Sequence, residues 1–196
     1  MTTGRDENII PFPRQAGAAW ALQIRVELML MPFPVWRRLL VPAGATFWDL
    51  HVALQDAMGW EDRHLHLFTL DDPRSGRRLR FGVPDESGFH GAHDIMPGWL
   101  HTVAPHLLVD GHPALYSYDF GDDWQHEVVL EAVLEDDGGR LLPLCLAGAG
   151  ACPPEDSGGP AMCQALLDGG ADGGFDPDAV VFDNPRLRWE RAFGRS

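Results

Sequence analysis

From residue 22 the apolar positions fall on every second residue: Leu22, Ile24, Val26, Leu28 and Leu30 alternate with Gln23, Arg25 and Glu27. A period of two puts one face of an extended strand in a core and the other in water. Pro32 and Pro34 stop that strand. Val35 to Pro42 reads as a second, which the short proline-bearing connection turns back antiparallel to the first. The period then changes. Phe47, Leu50, Leu54 and Met58 recur at helical spacing, Thr46 stands as an N-cap with Asp49 three residues on, and Gly59 suits the left-handed residue that ends a helix. This pattern predicts a helix over 47–58.

Alternation returns at His64 to Leu70 and places His64, His66 and Phe68 on one strand face. Residues 71–98 are rich in Asp, Pro, Gly and Arg and read as loop with a short strand over 78–81, and 100–109 reads as a helical turn or short helix. Two strand-like runs then flank Gly121-Asp122. Glycine first in a two-residue loop is the sequence form of a type II′ hairpin turn. That register opposes Asp119 to Trp124 and Ser117 to His126, with Asp119 and His126 on one face and Tyr118, Gln125 and Glu127 on the other. Residues 145–159 are too rich in Gly and Pro for regular structure over most of their length, 160–167 reads as a short helix opened by proline, and 186–193 closes the chain as a basic, Trp-bearing segment. Residues 1–17 carry charges and prolines without a period and read as a flexible tail before one domain spanning 18–196. The fold class expected is α+β: a single domain, mainly antiparallel sheet, with an N-terminal hairpin, one well-defined helix after it and short C-terminal helices.

Composition narrows the function. The chain has 196 residues, 45% of them hydrophobic, with seven Trp and ten Phe, enough for one core. Its net charge of −14 repels phosphate backbones, so nucleic acid would need a local patch such as Arg74, Arg77, Arg78 and Arg80. All 15 basic residues are arginine, which excludes Schiff-base lysines and the P-loop lysine. With no leader-like or membrane-spanning pattern, and with three unevenly spaced cysteines at 145, 152 and 163, a cytoplasmic protein with reduced thiols is expected.

Chemistry concentrates around the hairpin. Asp119, Asp122, Asp123 and His126, joined by Glu155 and Asp156 of the late loop, are the candidate catalytic residues. His64, His66, Asp122, His126, Cys145 and Cys152 are the candidate metal ligands. Carboxylates with histidine suit Mg²⁺, Mn²⁺ or Zn²⁺ and a water nucleophile, and Cys145, Cys152 and His126 form a structural zinc variant. Equally, Asp119 and Asp122 serve as hairpin caps and the histidines as ordinary hydrogen-bonded residues, and both readings stand. Glu127, Glu131, Glu135, Asp136 and Asp137 read as a solvated sheet edge that resists edge pairing.

Five blocks carry a resemblance. They are Pro34-Val35-Trp36-Arg37-Arg38 with Val41-Pro42; Leu50-His51; Met58-Gly59-Trp60 with His64-Leu65-His66-Leu67-Phe68; Tyr118-Asp119-Phe120-Gly121-Asp122-Asp123-Trp124 with His126; and Cys152-Pro153-Pro154-Glu155-Asp156 with Gly158-Gly159-Pro160. In this order, over about residues 22–188, the chain resembles the plasmid pRiA4b ORF-3-like family. The resemblance implies an α+β domain found on plasmids and beside mobile elements, and no established activity. The resolvase-like label of some members needs a serine or tyrosine nucleophile with basic DNA contacts, and this acidic chain shows no such arrangement. Two departures matter: Ser157 stands where the family commonly has cysteine, and Met162-Cys163 where it commonly has Gly-Tyr. The expected function is a non-enzymatic accessory or protein-interaction module with an unidentified protein partner. The alternatives are a metal-dependent hydrolase or nuclease-like enzyme using the Asp/His cluster, and a nucleic-acid binder through the Arg patches.

Overall fold

The computed structural model describes residues 19–84, 94–109, 111–163 and 174–193. The expected tail over 1–17, and the part of the expected 160–167 helix beyond residue 163, lie outside them. In chain order the elements are β1 (Ala19–Leu28), β2 (Val35–Pro42), α1 (Phe47–Met58), β3 (His66–Asp71), β4 (Arg78–Gly82), β5 (Ile95–Pro97), β6 (Ala114–Tyr118), β7 (Trp124–Asp136), β8 (Leu144–Ala149), α2 (Pro160–Cys163) and α3 (Pro185–Phe193). The strands make one sheet in the order β5-β4-β3-β6-β7-β1-β2-β8, antiparallel throughout except for the β4–β5 pair. The class is the α+β one expected.

Helix α1 forms as its caps dictate. Thr46 accepts from the Asp49 backbone N–H while the Asp49 carboxylate accepts from that of Thr46, and Gly59 closes the helix at φ 80°. Its apolar side chains Phe47, Leu50, Leu54 and Met58 are buried, and they complete a core with the inward positions of β1, β2, β3, β6 and β7. The other sheet face is polar: Arg38 holds Glu131 through two hydrogen bonds of 2.5 and 2.7 Å, and Gln23 adds a third at 2.8 Å. Glu127 lies within the part of β7 that pairs with both β6 and β1, whereas Glu131, Glu135 and Asp136 lie beyond Val128, where β7 pairs with β1 alone and its other edge has no strand partner among the described residues.

Two further segments take their places. Residues 150–159 are irregular, as expected for most of 145–159, while Leu144–Ala149 form β8 and pair with β2; alanine and glycine carry little strand signal, and the pairing partner supplies it. The segment 100–109 makes no regular helix beyond a 3-10 turn at Gly98–Leu100. Its backbone groups are used by the start of α1 instead, Phe47 N–H donating to His101 and Val103 N–H to Ala45.

Helix α3 lies on α1. Trp48 Nε1 donates to the Pro185 carbonyl at 2.9 Å, Arg188 meets Asp56 at 2.5 Å and Asp183 at 3.2 Å, and the Trp189 ring contacts Trp48 and Trp99. Among the described residues no helix is long and apolar enough to cross a membrane.

Candidate functional site

The β6–β7 hairpin differs from the expected register. Tyr118 faces Trp124, Ser117 faces Gln125 and Tyr116 faces His126, leaving a five-residue loop, 119–123. The cause is local. Asp119 and Asp123 both take left-handed backbone, φ 52° and 56°, Asp123 N–H donates to the Asp119 carbonyl at 2.7 Å, and Asp119 Oδ1 accepts from the amides of Gly121 and Asp122. Short acidic side chains tolerate this conformation because they bond their own turn. An odd loop places His126 on the buried face with Tyr116, Tyr118 and Trp124, so the expected Asp119–His126 pair does not form.

His126 is fully buried, 5.3 Å from the Trp60 ring and 5.2 Å from Tyr116, and its Nε2 has no partner among the described residues. Burial pushes its pKa down to about 3. His66 is buried too, its ring stacked 3.5 Å from that of His51, and burial followed by the neighbouring imidazole holds its pKa well below the ordinary value. This stack belongs to a polar network that the sequence reading did not single out. His51 Nε2 donates to Asp62 at 2.8 Å, which leaves Nδ1 to accept from the Tyr116 hydroxyl at 2.8 Å, and Gln55 donates to the same hydroxyl at 2.9 Å. Burial raises Asp62 to about 6 even against the opposing pull of His66 and Arg188. A signal was present: His51 sits four residues after Phe47, on the apolar stripe of α1.

The carboxylates and imidazole that do converge are His64, Asp119 and Asp156. His64 Nε2 lies 2.8 Å from Asp156 Oδ1 and 3.5 Å from Asp119 Oδ2, and one donor atom from each residue falls within 4.8 Å of the others. Three chain segments meet here, and Tyr118 fastens them. Its hydroxyl accepts from the backbone N–H of Arg63 and His64 and donates to Glu155, whose carboxylate also takes the Glu61 N–H at 2.6 Å. Burial, then the Glu155 carboxylate, keeps the phenol protonated far above its usual range. Trp60 Nε1 donates to the Pro153 carbonyl at 2.8 Å, and Asp122 Oδ2 accepts from Gly158 N–H at 2.9 Å. Gly159, at φ 77°, passes so close to the hairpin that a β-carbon there would lie 2.2 Å from the Asp122 carbonyl oxygen.

The remaining candidates take other places. Asp122 and Glu155 hold the late loop, and Asp123 accepts from the Gln125 amide. Cys145 and Cys152 lie near the buried Arg37 guanidinium, and burial raises both thiols, Cys152 to about 12. Arg37 donates to the carbonyls of Ala57, Trp36 and Ala149, with the Phe175 ring 3.7 Å away. The zinc set of Cys145, Cys152 and His126 is not assembled among the described residues. Ser157 Oγ is buried without a partner among the described residues. The Arg patch is split between β4 and the β3–β4 turn, where Arg78 pairs with Asp71 at 3.1 Å.

Fold and site together define a class: one eight-stranded, mostly antiparallel sheet under a capped helix, with an imidazole and two carboxylates gathered at a hairpin loop. The chain belongs to the plasmid pRiA4b ORF-3-like protein family, whose model matches residues 20–179. It is similar to the uncharacterized protein y4hQ of Sinorhizobium fredii (strain NBRC 101917 / NGR234), 34% identical over 154 residues, covering 76% of this chain and 75% of that protein. It is also similar to the crystal structure of a protein of unknown function, MM3350, from Methanosarcina mazei Go1. There the identity is 31% and the TM-score 0.75, covering 84% of this chain and 99% of the other.

Proposed function

We propose that His64, Asp119 and Asp156 hold one divalent cation and that the protein is a metal-dependent hydrolase at this end of the sheet. The supporting observation is the approach of one imidazole nitrogen and two carboxylate oxygens, from three separate segments, to within 4.8 Å of one another. An octahedral ion about 2.1 Å from its ligands needs adjacent donors about 3 Å apart. The separations of 2.8 and 3.5 Å from His64 Nε2 bracket that value. Mixed carboxylate and imidazole donors suit Mn²⁺ or Zn²⁺, and such an ion would bring the pKa of a coordinated water toward neutrality.

The chain's own residues fit those roles. Asp119 Oδ1 is occupied by two amides, so Oδ2 is the atom turned to the site. His64 must carry its hydrogen on Nδ1 to offer Nε2. Arg63, 3.7 Å from Asp156, places a positive charge where an anionic substrate group would be held. The test is the metal content of protein purified without an affinity tag, with Mn²⁺ and Zn²⁺ titrations of the parent, Asp119→Asn and His64→Ala. One ion per chain is expected, bound about tenfold more weakly or worse in each variant, a loss of roughly 1.4 kcal/mol or more. A parent protein that binds neither ion disproves the proposal.

We also propose a second role, as a non-enzymatic accessory module associated with plasmids or mobile elements; its working through a protein partner is supported by a different feature. Leu30, in the turn between β1 and β2, is 74% exposed.

A further inference from the structure

Resting on that second role, we infer that the β1–β2 turn docks a cationic, apolar segment of a partner protein. Three observations converge on it. Leu30 takes φ 61°, a left-handed conformation that glycine, asparagine or aspartate adopts with far less strain. Strain at an exposed leucine gains the fold nothing by burial, and residues held this way concentrate where a surface is used. Next, Met29, Leu30, Met31 and Phe33 line, with Glu27 and Glu127, a hollow of about 440 Å³. Pro32 and Pro34 stiffen the turn, so little conformational freedom remains to be lost on binding, while the methionines adapt to the side chain they meet.

The third observation sets the partner's charge. Glu27 of β1 stands directly opposite Glu127 of β7, and like charges at opposed positions repel. Arg25 pairs with Glu27 at 2.5 Å, whereas Glu127 is exposed and makes no ion pair among the described residues. An arginine or lysine beside an apolar side chain satisfies this surface: the cation relieves the carboxylate pair and the apolar group covers Leu30. The same carboxylates repel anionic lipid headgroups, which argues against a membrane surface.

The experiment uses short fluorescein-labelled peptides read by fluorescence anisotropy on the full chain: one of leucine and arginine, one with glutamate replacing arginine, and one with alanine replacing leucine. The leucine–arginine peptide is expected to bind and the other two to bind at least about tenfold more weakly. Because the whole protein is acidic, the deciding variant is uncharged. Leu30→Asn is expected to weaken binding about tenfold while its melting temperature stays level or rises, since asparagine tolerates the left-handed backbone. Glu127→Gln is expected to weaken it about threefold. If the glutamate peptide binds equally well and Leu30→Asn still abolishes binding, the turn is a partner surface and the cationic choice is overturned. If sedimentation shows a self-associating parent and a monomeric Leu30→Asn, the occupant is a second copy and the inference fails. If no peptide binds and Leu30→Asn changes nothing, the inference and the partner role it rests on fail together.

Discussion

Gly159→Ala is expected to cost about 2–4 kcal/mol of stability and to abolish cation binding at His64, Asp119 and Asp156. At φ 77° a β-carbon is strained, and it would lie 2.2 Å from the Asp122 carbonyl oxygen, an atom of backbone that cannot rotate away. The chain must separate here, and with it go Asp156, three residues earlier, and the Gly158–Asp122 hydrogen bond. Gly44→Ala serves as the control: nothing lies within 4 Å of the added carbon and its backbone is not left-handed, so its stability should change by less than about 0.5 kcal/mol. Urea unfolding measures the first part and calorimetric Mn²⁺ titration the second. An alanine variant that binds the ion like the parent shows that this junction does not hold the ligands together.

Mild acid is expected to destabilise the protein by up to about 4 kcal/mol between pH 7 and pH 5, lowering the melting temperature by about 10 °C or more. His51, His66 and His126 are all buried, and desolvation holds their folded pKa values below 6.5. The unfolded chain therefore takes up protons that the folded one refuses. Stability is present above about pH 6.5 and is lost as the pH falls toward the folded value, about 3 for His126, at up to about 1.4 kcal/mol per pH unit for each histidine. Asp62 acts in the opposite sense. Its folded pKa of about 6 exceeds the unfolded 3.8, so its contribution grows as the pH falls through 6 and is lost as the pH rises. Three histidines outweigh one carboxyl. His126→Phe, which also removes an unpartnered Nε2, should flatten the profile by about one proton. Melting temperatures that stay level from pH 7 to pH 5 would falsify this account.

What could be read ahead of the structure was local. Helix α1 matches its expected bounds because Thr46, Asp49 and Gly59 specify both ends within one turn of chain. The β1–β2 hairpin followed from alternation and two prolines. The β6–β7 register was not legible, because Gly121-Asp122 advertises a two-residue loop while the left-handed residues are Asp119 and Asp123. That local choice changed the partner of an imidazole: Asp119 faces His64, which precedes β3, and His126 enters the core. Within the expected candidates, His64, Asp119 and Asp156 were named without their mutual contact. The fastening of the late loop, by Tyr118 and Glu155, by Trp60 on the Pro153 carbonyl and by Asp122 on Gly158, brings together residues more than 90 positions apart. The buried His51–Asp62 pair was missed because a histidine among leucines reads as surface unless the helix face is counted.

The C-terminal helix adds an order to the way this molecule opens. None of the described residues of α3 is buried, yet its Trp189 packs on Trp48, whose ring lies 5.1 Å from His51 and 5.9 Å from His66. Arg188 brings a guanidinium to within 4.0 Å of Asp62. Elements with little buried surface detach at a small fraction of the global unfolding free energy. Undocking of α3 is therefore expected to precede exposure of the histidine stack and to admit protons to it while the sheet is still paired; hydrogen exchange should show the α3 amides opening at a lower free energy than those of β1 and β7.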